Sequence, residues 1–323
     1  MLTPQLTIII PTYNRRETLL KVLEGYKQQT AGAEILEILV IDDGSTDETG
    51  RAVAGFSPTS PVAIRYLSQQ NKGPATARNW GIREAKGTLI LFGDDDIIPA
   101  PTLVAEHLAW NRRYPADHFA ILGHVSWSPE VHPTPFMEWL GREGVLFGYG
   151  SLLPGKEVGF EYFYSCNLSV KREFLINNGL FDEKFRSAGH EDIELGYRLT
   201  NKGLSVLYNP EAIGYHYRYL SYAAACRRQE MVYATRLCFE TTEAGRFVNN
   251  RTSQAKRMTL TRRLMLATAK VITYFLVPLT PLLDTHIRLP RRVYFLLYFF
   301  HAAPKARANF ERSRQRQADA KAT

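Results

Sequence analysis

The sequence predicts an α/β fold in which a mostly parallel sheet is flanked by helices, with a helical region after it. Three observations support this prediction. Short β-branched runs alternate with helical patterns through the first half of the chain, and a polar segment follows three of the four runs. In the last third, long apolar and basic stretches replace this alternation. Alternating strands and helices are typical of a parallel sheet covered by helices.

Four runs rich in β-branched residues predict the strands, at residues 7–10, 35–41, 62–66 and 88–92. The first helix is predicted from apolar residues at helical spacing, which are Leu19, Val22, Leu23 and Tyr26. Asn14 precedes this helix in a position to cap its N-terminus.

The segments after the first, second and fourth strands are polar, at residues 11–15, 42–45 and 94–96. Ligands of open α/β sheets bind at the carboxyl ends of the strands, so these segments are expected to line one cleft. The absence of a Gly-x-Gly-x-x-Gly segment after the first strand, and of a Walker A loop, argues against standard dinucleotide and P-loop sites. A nucleotide would instead use Asp43, which can accept hydrogen bonds from base or ribose, and Tyr13. Tyr13 would either stack on the base or pack inside the protein.

An acidic triplet, Asp94, Asp95 and Asp96, closes the fourth strand. Three adjacent carboxylates repel one another, and they stay ionised only if a cation, water or hydrogen-bond donors offset the repulsion. Mg²⁺ and Mn²⁺ favour such oxygen ligands, and Mg²⁺ is often held by carboxylates together with substrate phosphates. The triplet therefore predicts a divalent-metal site, with a solvated acidic turn as the alternative.

A second acidic pair, Glu191 and Asp192, begins a helical pattern that ends at Gly203. Acids in a first helical turn can simply stabilise the helix dipole. The functional alternative is a general base at the rim of the cleft, where a carboxylate would take the proton of an attacking hydroxyl.

The composition is that of a globular protein, with 323 residues, 45% hydrophobic and 22% charged. This length suits one catalytic domain with an appendage. The cysteines, Cys166, Cys226 and Cys238, show no Cys-x-x-Cys spacing, which indicates a reducing compartment and no structural zinc. The first apolar run ends at Pro11 and is too short for a secretory signal, so the catalytic part is expected in the cytoplasm.

Five segments in this order resemble the inverting glycosyltransferases of family 2, which have the GT-A fold. They are PTYNR at 11–15, DDGS at 42–45, NKGPATARNWGI at 71–82, GTLILFGDDD at 87–96 and FDEKFRSAGHEDIELGYRL at 181–199. The resemblance covers roughly residues 5–220 and implies a GT-A catalytic domain over residues 1–220. It implies transfer of a sugar from a nucleotide-diphosphate sugar, most commonly of uridine diphosphate, to an acceptor hydroxyl. The implied cofactor is Mg²⁺ or Mn²⁺.

The resemblance also implies the residues of the donor site. Residues at the positions of Thr12, Tyr13 and Asp43 hold the nucleotide base and ribose in the family. Pro11 and Lys72 lie in the same matched segments and are included in the expected donor site.

The triplet matches the DxD motif of the family. Asp94 and Asp96 would contact the metal, while Asp94 and Asp95 would also contact the donor, with Asp95 near the ribose or sharing the metal. Arg78 would contact the diphosphate or the sugar. Its alternative is an ion pair with Asp43 or the triplet, because arginine suits both roles.

By family position, Asp192 is the expected general base and Glu191 the second choice. His216 lies where some GT-A enzymes place a histidine near the metal or diphosphate. The tyrosines around it make a packed, hydrogen-bonded histidine the alternative.

The C-terminal third is predicted to hold a bridging helix at residues 221–250 and a helical, membrane-associating region at residues 251–323. The latter has 15 Lys and Arg against three acids, a net charge of +12, whereas the total is +8. Its run of twenty mainly apolar residues, 264–283, is long enough to span a bilayer. Lys270 lies inside this run, prolines interrupt its end, and bases flank both sides. A helix lying in the membrane interface fits this pattern better.

The expected partner of this region is therefore an anionic membrane surface, and the expected location is peripheral, on the cytoplasmic face of the cell membrane. The alternatives are a membrane-embedded hairpin and an ordinary helical subdomain. No nucleic-acid recognition motif is present, so nucleic acid is not an expected partner.

Three functions compete. The favoured one is a glycosyltransferase whose acceptor is a lipid-linked or nascent cell-surface glycan. The second is a nucleotidyltransferase, which lacks support because no Gly-rich, basic loop follows the first strand. The third is a degenerate nucleotide-sugar-binding membrane scaffold, which the intact acids make less attractive.

Overall fold

The computed structural model describes residues 6–30, 36–143, 145–254 and 260–322. These residues form two compact units. The first extends to Val131 and resumes over Phe147–Arg218, and the second comprises His132–Leu146 and the chain from Tyr219 onward. The segment His132–Leu146 thus belongs to the second unit, although it lies within the range predicted for the catalytic domain.

The first unit is built on one nine-stranded sheet. Its strands in chain order are β1 (Leu6–Thr12), β2 (Leu36–Asp42), β3 (Ala63–Ser68), β4 (Leu89–Gly93), β5 (Ile97–Pro99), β6 (Phe119–Trp127), β7 (Glu157–Val158), β8 (Asn167–Lys171) and β9 (Ser205–His216). The order across the sheet is β3-β2-β1-β4-β8-β6-β9-β5, and β7 pairs with β9.

The sheet is mixed but mostly parallel. β1 pairs in parallel with both β2 and β4, and β2 pairs in parallel with β3. β8 is antiparallel to β4 and β6, while β9 is parallel to β6. The short strands β5 and β7 are antiparallel to β9. The four predicted strands are confirmed as β1 to β4, with residue 35 outside the described residues.

In the part of the chain that the structure describes, twelve α-helices accompany the sheet. They are α1 (Arg16–Lys27), α2 (Thr49–Phe56), α3 (Pro74–Glu84), α4 (Leu103–Arg113), α5 (Pro135–Arg142), α6 (Arg172–Asn178), α7 (Glu191–Thr200), α8 (Tyr222–Thr241), α9 (Glu243–Gln254), α10 (Leu260–Leu276), α11 (Arg291–Leu296) and α12 (Ala303–Ala322). α5 and α8 to α12 belong to the second unit, and the others belong to the first.

Alternating side chains of the central strands face opposite sides of the sheet and fill two cores. Ile9 and Phe92 belong to one core, whereas Ile8, Ile10 and Leu91 belong to the other. All five side chains are fully buried. Strands buried on both faces read as continuous apolar runs, which explains why β1 and β4 were identifiable from the sequence.

The prediction that Asn14 caps α1 is wrong. Asn14 has φ of +52°, and its side-chain oxygen accepts a hydrogen bond of 2.7 Å from Thr46 N in the loop after β2. Asp47 instead caps the N-terminus of α1, because its carboxylate accepts a hydrogen bond of 2.9 Å from the backbone N–H of Arg16. The loops after β1 and β2 lie side by side, so the capping acid comes from the neighbouring loop.

The second unit is helical in its described residues. α10 is followed by a 3₁₀ segment, Val277–Asp284, and a π-helical segment, Leu297–Ala302, lies between α11 and α12. Aromatic rings of α5 pack against α11, and Trp139 and Tyr294 have ring centroids 6.0 Å apart. Within the described chain, the stretch Met265–Asp284 is long and apolar enough to cross a membrane by length and composition, with a mean hydropathy of 1.5.

Candidate active site

The polar segments after β1, β2 and β4 lie at one edge of the sheet. The register aligns Thr12 with Asp42, and it places the ends of β1 and β4 side by side. Asp43 N donates to Thr12 O at 2.9 Å, which fixes the first two segments together. The strand order therefore creates a polar cleft at the carboxyl ends of the parallel strands.

Arg15 connects the loop after β1 to the acidic triplet. Its Nη1 lies 2.7 Å from Asp96 Oδ2, and its Nε lies 3.7 Å from Asp95 Oδ1. His216 Nε2 lies 3.6 Å from the same Asp96 oxygen. Although burial disfavours the charged form, His216 and Arg15 hold the pKa of Asp96 well below its usual range. Asp96 is therefore the most readily ionised member of the triplet.

The pKa values of the other two acids of the triplet shift in the opposite direction, upward. Burial, reinforced by the charge of Asp96, raises the pKa of Asp94 to about 6 and that of Asp95 to about 7. Arg78 opposes the shift at Asp94, and Arg15 opposes it at Asp95. Burial is the larger cause of both shifts, so Asp94 and Asp95 release their protons less readily than exposed aspartates do.

Arg78 of α3 joins the two acid clusters. Its side chain is only 5% exposed, and Nη2 lies 2.9 Å from Asp94 Oδ1 while Nη1 lies 3.3 Å from Glu191 Oε1. The guanidinium also lies over the ring of Phe181, 5.7 Å from its centroid. Of the alternatives left open by the sequence, the ion pair with the triplet is formed.

Glu191 and Asp192 begin α7 in different environments. Glu191 is 2% exposed, and its Oε2 accepts a hydrogen bond of 2.6 Å from Gly189 N. Burial, reinforced by the charge of Asp192, raises the pKa of Glu191 to about 7. Asp192 is half-buried, and its two oxygens accept from the backbone N and the hydroxyl of Ser165, at 3.0 and 2.6 Å. Asp192 is thus the oriented, accessible acid, and Glu191 is the buried partner of Arg78.

Asp43 organises the loop that leads into α3. One carboxylate oxygen accepts from Gln69 Nε2 at 2.7 Å and Lys72 N at 2.8 Å, and the other accepts from Gly73 N at 2.8 Å. Asp43 itself is 5% exposed. A carboxylate has about four acceptor sites, so this arrangement leaves room for one further donor from a base or ribose.

The remaining expected donor-site residues line the same edge. Tyr13 is 47% exposed, so the alternative that it packs inside the protein is wrong. Lys72 is also exposed, whereas Thr12 is buried and Pro11 is half-buried. Tyr13 and Lys72 are accordingly available to a ligand, while Thr12 and Pro11 are less accessible residues of β1.

His216 lies beside the acidic triplet and among aromatic rings. It ends β9 beside Asp96, and it also packs against aromatic rings, with centroids 5.2 Å from that of Trp127 and 5.6 Å from that of Phe147. Its Nδ1 is buried and has no hydrogen-bond partner among the described residues.

The donor set of the cleft is compatible with a hard divalent cation. Among the described residues, no group of three or more His, Cys, Asp or Glu side chains is already arranged around a metal position. Asp94, an expected ligand, is engaged by Arg78. Asp96 and His216 nevertheless place a carboxylate oxygen and an imidazole nitrogen 3.6 Å apart, and Mn²⁺ accepts both ligand types. Diphosphate and water oxygens would supply the other ligands, as is usual for Mg²⁺.

The sequence reasoning missed three residues of this site, Arg15, Ser165 and Gln69. Arg15 carried a usable signal, because a cation directly after β1 must emerge at the same sheet edge as the triplet. Ser165 and Gln69 carried none, since their acidic partners are 27 and 26 residues away in sequence.

Comparisons with known proteins show which sequences this chain resembles. Residues 7–142 match the family model described as glycosyl transferase family 2. The validoxylamine A glucosyltransferase of Streptomyces hygroscopicus subsp. jinggangensis is 32% identical over 234 residues, which cover 65% of this chain and 55% of that protein. The chain spans 55% to 64% of the length of the first curated relatives that it matches.

Solved structures show the same fold at low sequence identity. The mannosyltransferase PcManGT from Pyrobaculum calidifontis, in complex with GDP-Man and Mn²⁺, superposes with a TM-score of 0.58 at 18% identity. The match covers 95% of this chain and 88% of that one. Residues 1–349 of S. aureus TarS, in complex with UDP, give a TM-score of 0.52 at 17% identity and cover 94% and 92%. These likenesses show that the α/β fold of this chain matches GT-A structures.

Proposed function

We infer that this chain, which belongs to glycosyltransferase family 2, transfers a sugar from a nucleotide-diphosphate sugar to an acceptor hydroxyl with inversion at the anomeric carbon. One observation carries the inference beyond the family. Arg78 bridges Asp94 and Glu191, so the acids suited to a leaving diphosphate and those suited to an attacking hydroxyl meet in one cleft.

The acceptor side of the reaction is assigned to Asp192. In an inverting transfer the acceptor oxygen forms a bond to the anomeric carbon as the bond from that carbon to the diphosphate breaks. The acceptor hydroxyl must lose its proton, and a carboxylate within hydrogen-bond reach can take it. The contacts from Ser165 fix the orientation of the Asp192 carboxylate, and its partial exposure leaves an edge open to the acceptor.

The donor side is assigned to the edge formed by Tyr13, Asp43 and the triplet. The exposed ring of Tyr13 would stack on the base, and Asp43 with its ordered loop would hold the ribose or base. Asp96 and His216 would hold the divalent cation. When bound, such a cation would offset the negative charge that develops on the leaving diphosphate.

The donor and acceptor classes are finer proposals. We favour a uridine diphosphate sugar, which the family most commonly uses, and structural neighbours of this fold hold UDP or GDP-Man. For the acceptor we favour a lipid-linked or nascent cell-surface glycan, on the family resemblance.

A panel of nucleotide-diphosphate sugars tests the proposal, scored by calorimetric binding and by hydrolysis with Mn²⁺ or Mg²⁺. We expect one donor to bind with metal, Asp96→Asn to weaken that binding at least tenfold, and Asp192→Asn to keep binding but lose turnover. Asp117→Asn serves as the matched control, because Asp117 is an exposed carboxylate of the same unit.

The outcomes separate the competing functions. If no nucleotide sugar binds under any metal condition, the transferase proposal fails. Binding without turnover in the wild type, with any acceptor, would favour a scaffold. Release of diphosphate from a nucleoside triphosphate would favour a nucleotidyltransferase.

A further inference from the structure

The helix α10 presents an apolar face to solvent. Its inner side packs on α11 and the π-helical segment, and Thr273 on that side is 2% exposed. The side chains on the outer side are large, apolar and accessible, namely Met265 (68% exposed), Val271 (59%), Ile272 (45%), Tyr274 (76%) and Phe275 (72%). An exposed helix face dominated by large apolar side chains is unusual on a water-soluble surface and marks an interaction site.

The C-terminal end of the apolar stretch is packed and hydrogen-bonded within the second unit, which argues against a membrane-spanning helix. The stretch ends in the 3₁₀ segment, where Leu283 is 1% exposed. Asp284 then accepts a hydrogen bond of 2.6 Å from Tyr222 N at the start of α8, and its backbone oxygen accepts one of 3.1 Å from the hydroxyl of Tyr219. A spanning helix would place the two ends of this stretch about 30 Å apart, on opposite sides of a bilayer. The burial of Leu283 and the hydrogen bonds of Asp284 hold the C-terminal end of the stretch against other residues of the second unit.

The positive charge of this part of the chain favours an anionic partner. Residues 251–323 carry a net charge of +12, and the rest of the chain carries −4. Lys270 lies within α10 itself, and Arg288, Arg291 and Arg292 flank the start of α11. Cations beside an exposed apolar helix face are the combination that binds anionic lipid surfaces.

We propose that the outer face of α10 docks this protein onto a membrane surface rich in anionic lipid, with the helix lying in the membrane plane. The apolar side chains would enter the interface, and the neighbouring cations would contact the lipid headgroups. The proposal concerns the second unit alone and does not depend on the sugar-transfer activity.

Flotation of the full chain with vesicles tests this directly. We expect binding to vesicles of phosphatidylcholine and phosphatidylglycerol, weaker binding to phosphatidylcholine alone, and a loss of binding as salt screens the headgroups. The double variant Val271→Asp/Phe275→Asp should bind the anionic vesicles at least tenfold more weakly. Leu153→Asp is the matched control, because Leu153 is an equally accessible apolar side chain (62% exposed) in the first unit.

The two alternative roles of the apolar face of α10, a contact between copies of the chain and a membrane-spanning segment, would give different results. If wild-type chains self-associate in light scattering without lipid, and the double variant is monomeric but floats like the wild type, the face is a contact between copies and the proposal is overturned. Resistance of the bound wild type to alkaline carbonate extraction would also overturn it, in favour of a spanning segment. An unchanged thermal melting curve for the double variant, together with lost flotation, would support it, because the variant is then folded.

Discussion

Arg78 is the residue on which the electrostatics of the cleft depend. It is almost fully buried, and it neutralises two carboxylates that come from distant segments, Asp94 and Glu191. Removing one partner of a buried ion pair leaves an uncompensated charge and is far more costly than the pair is stabilising. Arg78→Met should therefore lower the free energy of unfolding by about 3 kcal/mol, measured by urea denaturation.

The matched control lies on the same helix. The side chain of Arg83 is 55% exposed, and its Nη2 lies 3.9 Å from Oε1 of Glu183, which is itself exposed. Arg83→Met should change stability by about 0.5 kcal/mol or less, because exposed ion pairs contribute little. Equal effects of the two substitutions would contradict the bridging role of Arg78.

Ser165 is predicted to act through Asp192. Its side chain is fully buried, and its hydroxyl donates the shorter of the two hydrogen bonds that orient the carboxylate. Hydrogen bonds to charged groups contribute about 1.5–3 kcal/mol, so Ser165→Ala should lower kcat about tenfold or more. Donor affinity, measured by calorimetry, should stay within a factor of two. A parallel loss of donor binding would mean that Ser165 supports the whole site rather than the orientation of one carboxylate.

At the scale of single elements, the loop between β3 and α3 depends on one glycine. Gly73 has φ of +91°, and a Cβ at this position would lie 2.6 Å from the backbone oxygen of Arg186. Gly73→Ala would therefore strain the backbone and push the loop away from Asp43, at a cost of about 1–3 kcal/mol. We expect weaker nucleotide-sugar binding together with a lower melting temperature.

Gly55 in α2 supplies the opposite case. A Cβ added there meets nothing within 4 Å. Because glycine is less favourable than alanine inside a helix, Gly55→Ala should raise stability by about 0.5–1 kcal/mol and leave donor binding unchanged. A destabilising Gly55→Ala would show that the helix is constrained by something other than its propensity.

At the scale of the whole molecule, stability should fall in mild acid because of a buried histidine. His107 of α4 lies 2.8 Å from Ser169 Oγ and 2.9 Å from Asn167 Oδ1, both on β8. Asn167 donates its own amide to Ala212 O, so its oxygen faces His107, and Nε2 of the ring carries the proton. Burial lowers the pKa of His107 from 6.5 to about 4.

The sign of the effect follows from proton binding. Between about pH 6.5 and pH 4 the unfolded chain binds a proton at this site and the folded protein does not, so falling pH favours unfolding. The loss should approach 3 kcal/mol by about pH 4, at about 1.4 kcal/mol per pH unit. Urea denaturation across this range should show that the free energy of unfolding falls with falling pH. His107→Gln should reduce this pH dependence, whereas His118→Gln, at an exposed position, should not.

The strands in the first part of the fold are easier to predict from the sequence than the later ones. β1, β2 and β4 carry runs of consecutive apolar residues that are buried on both faces of the sheet, whereas β3 is a half-exposed strand that contains Arg65. β5 and β7 have three and two residues, too few to show a period. Residues 132–146 read as part of the catalytic domain because sequence order alone does not show that they group with the helical unit.

The candidate site follows the same division. The positions of Asp43, the triplet and Asp192 at strand and helix ends could be inferred, since those ends share one sheet edge. The pairings could not, because Arg15 finds Asp96 across 81 residues and Arg78 finds Glu191 across 113. The exposure of Tyr13 and the loss of the Asn14 cap likewise depend on how two loops lie beside each other, which no local pattern encodes.

The hydrogen bonds from Lys72 N and Gly73 N to Asp43 also affect the exchange of backbone protons with solvent. Loop amides normally exchange rapidly, because they open without global unfolding. These two are held by a buried carboxylate, so they should exchange with deuterium as slowly as amides of the neighbouring strands, before any nucleotide is added. In Asp43→Ala both amides should exchange at loop rates, and a nucleotide sugar would then have to order the loop as it binds.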